Sequence, residues 1–145
     1  MNILITGVAG FIGFHTAMHY LDQGKNIIGI DNINDYYDIS LKEARLSKLK
    51  GYDKFKFYKL DINDKESLDK IFHSDQPDYI IHLAAQAGVG YSLKNPYAYI
   101  EANINGFMNI LEASRKESIK HLVFASSSSV YGANTKLPFS VNDNV

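Results

Sequence analysis

Three glycines stand at Gly-x-x-Gly-x-x-Gly spacing in Thr6-Gly7-Val8-Ala9-Gly10-Phe11-Ile12-Gly13, directly after the apolar run Asn2-Ile3-Leu4-Ile5. Glycines between a strand and a helix suit a dinucleotide pyrophosphate. Gly7 allows the tight turn, Gly10 lets backbone approach the phosphates with no side chain in the way, and Gly13 lets the helix pack close on the strand. The helix start adds unpaired N–H groups and a positive dipole end. A second element agrees with the first. Asp31 closes an apolar strand over 25–30, roughly 20 residues beyond the loop, where an acid takes the adenosine ribose hydroxyls. Asp31-Asn32 could also be plain turn residues, but the glycine loop upstream favours the ribose role. A carboxylate about 4 Å from a 2′-phosphate would cost on the order of a few kcal/mol. The next residue, Asn32, brings no Arg or Lys to offset it, so NAD is expected over NADP.

Other chemistry-bearing residues are weaker signals. Ser126-Ser127-Ser128-Ser129 alone would be a solvated loop; at the end of a fifth strand of this type it reads as a site. His82, inside an apolar strand, is expected to be a hydrogen-bonded core histidine. His15 and His19 have the i, i+4 spacing of metal ligands, yet no third ligand joins them, so a helix face is expected. Tyr36, Tyr37, Tyr97 and Tyr99 read as packing at loop and helix rims, with Tyr36-Tyr37 as an alternative cover for adenosine.

The elements that must position these residues alternate along the chain. After the first strand comes a helix over 10–23, with Gly24 as its cap, then the strand over 25–30. Ser40 is expected to cap a helix to 50 with Leu41, Ala44, Leu46 and Leu49 inward. A strand over 55–60 and a helix over 64–73 follow, the latter with Leu68, Ile71 and Phe72 inward. The apolar run 79–83 reads as a strand buried on both faces. Beyond the loop 84–95, Pro96 starts a helix over 97–115 with Ile100, Ile104, Phe107, Met108 and Leu111 on one side. The fifth strand covers 121–125. Alternating βα units predict an α/β, Rossmann-type doubly wound parallel sheet in the order 3-2-1-4-5, with right-handed crossovers. The glycine loop, Asp31, Asp61, Ala84-Ala85 and the serine run then all fall at the carboxyl ends of strands, where such sheets bind ligands.

Composition bounds the partners. The chain has 145 residues, enough for one domain with a core and too few for two ordinary ones. A net charge of −1 gives no case for nucleic acid or an anionic membrane. The lack of cysteine excludes disulfides and thiolate metal sites, so no metal site is expected. Without an apolar run of about 18 residues nothing spans a membrane, and Met1 leads straight into the first strand without a signal peptide. A cytoplasmic protein is expected.

Thr6 to Gly13, Asp61-Ile62, His82-Leu83-Ala84-Ala85-Gln86, Asn103-Ile104-Asn105-Gly106 and Ser126 to Gly132 together resemble the extended short-chain dehydrogenase/reductase superfamily, in particular its NAD-dependent nucleotide-sugar epimerases and dehydratases. Asp31 to Asp38, Ala85-Gln86-Ala87-Gly88-Val89 with Tyr91-Ser92, and the serine run are most similar to UDP-glucuronate 4-epimerases. The resemblance implies that Gly7, Gly10 and Gly13, with backbone from Phe11 and Ile12, hold the pyrophosphate. It implies Asp31, with Asn32 beside it, at the ribose and Asp61-Ile62 at the adenine. Leu83, Ala84, Ala85, Gln86, Asn103 and Ser126 would lie along the cofactor, Gln86, Ala87, Gly88, Ser127 and Ser128 by the UDP-sugar, and Ser127 would be the catalytic hydroxyl. The implied reaction inverts the sugar C4 through a 4-keto intermediate, with a tyrosine as base and a lysine four residues on to lower its pKa. With glucuronate that ketone lies beta to a carboxylate, so decarboxylases are competitors.

Two departures qualify the resemblance. No Tyr-x-x-x-Lys follows the serine run: Tyr131 is followed by Thr135, and the formal match Tyr52 to Lys56 lies far upstream. Residues 1–145 are therefore expected to be an incomplete NAD-binding domain, inactive alone and truncated before the tyrosine helix; the alternative is a stand-alone dinucleotide-binding module. Gly90 stands where UDP-glucuronate epimerases usually carry Arg, which weakens the glucuronate preference but not the epimerase chemistry. An open sheet edge makes self-association, as a homo-oligomer, a physical expectation.

Overall fold

The computed structural model describes residues 1–145. Strands β1 (Asn2–Thr6), β2 (Asn26–Asp31), β3 (Phe55–Lys59), β4 (Tyr79–His82) and β5 (His121–Phe124) form one parallel sheet in the order β3-β2-β1-β4-β5. Helices α1 (Phe11–Asp22), α2 (Ile39–Leu49) and α3 (Lys65–Asp75) make the first three crossovers. The fourth contains two short helices, α4 (Val89–Ser92) and α5 (Tyr97–Ile100), then a π-helical segment, Glu101–Gly106, running into α6 (Phe107–Lys116). A 3₁₀ turn, Ser128–Tyr131, follows β5. The predicted α/β class and strand order are both present. No helix is long and apolar enough to cross a membrane.

Two apolar layers sandwich the sheet. Ile3, Ile5 and Ile27 pack with Phe14, Ala17 and Leu21 of α1 and with Leu46 and Leu49 of α2. Leu4, Ile28, Ile30 and Ile80 point the other way, onto Leu68, Ile71 and Phe72 of α3 and Ile110 and Ala113 of α6. Alternate residues of each strand serve opposite layers, as the period of two requires. Thr6 and His82 are paired in register, as are His82 and Phe124, so the ends of β1, β4 and β5 align beside one another.

Several sequence expectations are corrected. Asp38, not Ser40, caps α2, accepting from the Ser40 N–H at 2.9 Å. Leu41 and Ala44 are exposed, and Lys42 takes the inward position with Leu46 and Leu49. β4 is closed on one face only, Tyr79 and Ile81 being half-buried. The helix predicted over 97–115 is continuous from Tyr97 to Lys116, but its hydrogen bonding is π-helical over Glu101–Gly106. Of the residues expected on one side, Ile100, Ile104, Met108 and Leu111 are exposed and Phe107 is half-buried, and the buried residues are Gly106, Ile110 and Ala113.

Candidate active site at the carboxyl ends of the strands

The glycine turn is closed so tightly that side chains are excluded. Gly7 has φ +68°, and a Cβ there would lie 2.8 Å from the Ala84 nitrogen. A Cβ on Gly13 would lie 2.1 Å from the Gly7 carbonyl oxygen. The first helical bond of α1 runs from the Phe14 N–H to the Gly10 carbonyl at 3.0 Å. The N–H groups of Phe11, Ile12 and Gly13 are therefore left for an anion, as in any first turn. The side chains of Phe11 and Ile12 are exposed and Gly13 is buried beneath the turn. These three offer backbone only and do not line the cleft.

Gly7 and Gly10 share one cleft with Asp31, Asn32, Asp61, Ile62, Leu83, Ala84, Ala85 and Gln86. Asp31 is 7% exposed, and its two oxygens accept from the Ala9 N–H (3.0 Å) and the Ile33 N–H (2.9 Å). That turn holds Ile33 at φ +54°, a conformation unusual for a β-branched residue. Burial pushes the Asp61 carboxyl up, but donors from Asn32 and Asn63 outweigh it and hold its pKa below the usual value. The Asn32 amide donates to Asp61 at 2.8 Å, so the acids ending β2 and following β3 are linked across one end of the cleft. Tyr37 lines this cleft, while Tyr36 packs edge-on against Tyr91. Only one of the two tyrosines thus borders this cleft.

Asn32 brings no cation to Asp31, but α2 does. The Lys42 ammonium is 3.6 Å from Asp31 Oδ1, with both side chains 6% exposed. Sequence adjacency could not show this, because Lys42 arrives from α2. The preference for NAD therefore cannot rest on an uncompensated carboxylate.

A second cavity, about 780 Å³, adjoins the first and shares Leu83 to Gln86 with it. That is a size that takes small-molecule ligands. Ala87, Gly88, Asn103, Ser126, Ser127 and Ser129 line it as well. Ser128 does not; it opens the 3₁₀ turn instead. Ser127 Oγ accepts from the Ser129 N–H at 3.3 Å, which leaves its own proton free to donate. Asn103 lies in the π-helical segment and clasps Gln86. It accepts from the Gln86 N–H at 2.8 Å and donates to the Gln86 carbonyl at 3.0 Å. It thus holds the Gln86 loop and borders the second cavity, not the first cleft. The Tyr99 hydroxyl is shared between the Ala87 and Gly88 carbonyls, fixing the same loop from α5.

His82 is a core histidine, as expected. Thr6 Oγ1 accepts from the N–H groups of Leu83 and Ala84, at 3.1 Å each, and lies 2.7 Å from His82 Nδ1. With both lone pairs used, the Thr6 proton goes to Nδ1, so the ring proton sits on Nε2. Burial pushes the His82 pKa down to about 4. The upstream Tyr52 and Lys56 are engaged elsewhere, with Asp22 and Asp75 respectively. His15 stands edge-on to Phe11 and Phe14, and His19 bonds Gln23.

The sequence profile of the family described as GDP-mannose 4,6 dehydratase matches residues 4–144. The chain belongs to this family. Protein CapI of Staphylococcus aureus is 55% identical over the whole chain, which spans 43% of that protein. The UDP-glucuronate 4-epimerase of Thermodesulfobacterium geofontis is 46% identical over 91% of the chain and 41% of its own length. Among solved structures, a mutant of Bacillus cereus UDP-glucuronic acid 4-epimerase in complex with NAD and UDP-4-deoxy-4-fluoro-glucuronic acid superposes with a TM-score of 0.85. It is 32% identical, over 99% of this chain and 45% of that one. Thermotoga maritima UDP-glucose 4-epimerase, solved with UDP-glucose, gives 0.80 at 36% identity, over 94% of this chain and 41% of that one. The chain thus spans less than half the length of the relatives it matches, and the kinship with nucleotide-sugar epimerases and dehydratases read from its motifs holds.

Proposed function

We propose that residues 1–145 form the NAD-binding part of a nucleotide-sugar C4-epimerase, with UDP-glucuronate as the preferred sugar, and that alone they bind cofactor without turning substrate over. The observation that carries this reading is the single cleft that joins the side-chain-free turn at Gly7 and Gly10 to the Asp31 carboxylate. The free N–H groups of Phe11, Ile12 and Gly13 fit a pyrophosphate, and Asp31 keeps a lone pair on each oxygen for ribose hydroxyls. Asp61 and Ile62 border the adenine, and Leu83 to Gln86 lie along the rest. NAD, when bound, supplies a reversible hydride acceptor for the sugar C4. The chain positions the reactants: the free proton of Ser127 donates to the reacting sugar oxygen, while Gln86, Ala87 and Gly88 border the sugar.

The base is what these residues lack, since Tyr52 and Lys56 lie away from Ser127 and are already paired. Support for UDP-glucuronate comes from the relatives named for it. Gly90 has nothing within 4 Å of a would-be Cβ, so packing does not demand glycine where that group usually has Arg. The proposed compartment is the cytoplasm, in keeping with a cysteine-free chain. Titration calorimetry with NAD, followed by an assay of UDP-glucuronate and UDP-galacturonate interconversion, tests the proposal. Binding without interconversion is expected; robust turnover by the 145-residue chain, or no NAD binding, would contradict it.

A further inference from the structure

We propose that Tyr36 closes an aromatic strap across the glycine turn, and that the dinucleotide enters and leaves only when this strap opens. The inference rests on the dinucleotide reading above and assigns the rates of cofactor exchange to one contact between two loops.

The strap follows from the strand order. β1 lies between β2 and β4, so its glycine turn lies between the segment that follows β2 and the segment that follows β4. Those two segments touch. The Tyr36 ring stands edge-on to the Tyr91 ring of α4, with centroids 5.0 Å apart at 61°, a favourable arrangement for an aromatic pair. The Tyr36 hydroxyl sits so close to Gly88 that a Cβ there would collide with it. Tyr91 in turn lies 6.4 Å from Tyr99, whose hydroxyl is held by the Ala87 and Gly88 carbonyls. The contact therefore spans the end of β1, with β2, β1 and β4 as the floor and three tyrosines as the arch. Each foot of the arch belongs to one half of the site. Asn32, Asn34 and Tyr37 line the first cleft, and Gly88, Val89 and Ser92 line the second cavity. A dinucleotide that lies on the glycine turn and reaches into both passes beneath the arch.

The contact is also suited to opening. It consists of ring edges and surfaces rather than of hydrogen bonds, and Tyr36 is 42% exposed, so lifting it uncovers little apolar area. Its neighbour Tyr37 is anchored instead, its hydroxyl accepting from Arg45 at 3.1 Å. If Tyr36 only packed against the loop, its loss would speed release and leave association unchanged. A strap slows both directions, because binding waits for the open form.

The test is stopped-flow measurement of NADH association, read by nicotinamide fluorescence, and of its release into excess NAD. It is run on the 145-residue chain and on its Tyr36→Ala, Tyr36→Phe and Tyr91→Ala variants. Tyr36→Ala and Tyr91→Ala should each raise both rate constants about fivefold or more and leave their ratio, the Kd, within about twofold. Tyr36→Phe keeps the ring edge on Tyr91 and should stay within about twofold of the parent chain. Circular dichroism checks the fold, and Tyr36→Ser is read in the same way should an alanine variant not fold. Faster release with an unchanged association rate constant overturns the strap and leaves the dinucleotide reading standing. So does a Tyr36→Phe variant as fast in association as Tyr36→Ala. Failure of the parent chain to bind NADH overturns both.

Discussion

A methyl group on Gly13 would lie 2.1 Å from the Gly7 carbonyl oxygen and 2.9 Å from the Val8 Cα, and none of these backbone atoms can swing aside. Gly13→Ala is expected to destabilise the chain by at least about 2 kcal/mol, seen as a lowered urea midpoint, whereas Gly90→Ala, facing open space, should change it by less than about 0.5 kcal/mol. His82 gives a pH dependence whose sign follows from its lowered pKa of about 4 against an ordinary 6.5. The unfolded chain takes up a proton below pH 6.5 that the native ring refuses until about pH 4. Its contribution is thus complete above pH 6.5 and is lost as pH falls between the two values, up to about 3 kcal/mol in all. His82→Asn keeps an acceptor for the Thr6 hydroxyl and should flatten the slope between pH 6.5 and 5 in urea unfolding; an unchanged slope would refute this origin. At this scale the sequence revealed what lies next to a strand end: the glycines, Asp31, Asp61 and Ser127 are legible because strand-loop-helix order fixes their side of the sheet. Lys42 was not legible, because a lysine on an amphipathic helix ordinarily marks the solvated face.

The π-helical segment is where element-level reading stopped. An apolar period over 97–115 shows which side chains share a face; it cannot show whether another element covers that face, and Ile100, Ile104, Met108 and Leu111 are uncovered. Nor does a π-helical turn have a sequence signature, although such turns recur at functional sites. Here the segment carries Asn103, whose amide holds both backbone groups of Gln86. Asn103→Leu removes both bonds and should cost roughly 1–3 kcal/mol. It should also raise the hydrogen-exchange rate of the Gln86 amide and weaken NAD binding. If Gln86 exchange is unchanged, the clasp is not what fixes the loop. α2 shows the converse case: its limits were nearly right, but its cap moved from Ser40 to Asp38 because both residue types suit that position.

For the molecule as a whole, strand order followed from the alternation of elements, since short right-handed crossovers leave few other topologies. The open side of the sheet did not follow, because it depends on which elements lie over each strand. Val123 and Phe124 of β5 are about half exposed, and Tyr79, Ile81, His121 and Val123 line an apolar groove with Met1, Ile3 and Tyr20. Self-association at micromolar concentration is expected in sedimentation velocity, and Val123→Glu should reduce it; a strictly monomeric parent chain would contradict that. The central claim concerns the other end of the sheet, where the pyrophosphate lies over the turn from Gly7 to Gly13 and the adenosine ribose meets Asp31. A crystal structure of the chain with NAD tests it most directly. The expected result is phosphate oxygens within hydrogen-bond distance of the first N–H groups of α1 and a ribose hydroxyl on the Asp31 carboxylate. NAD seated elsewhere, or a glycine turn closed against it, would contradict the account.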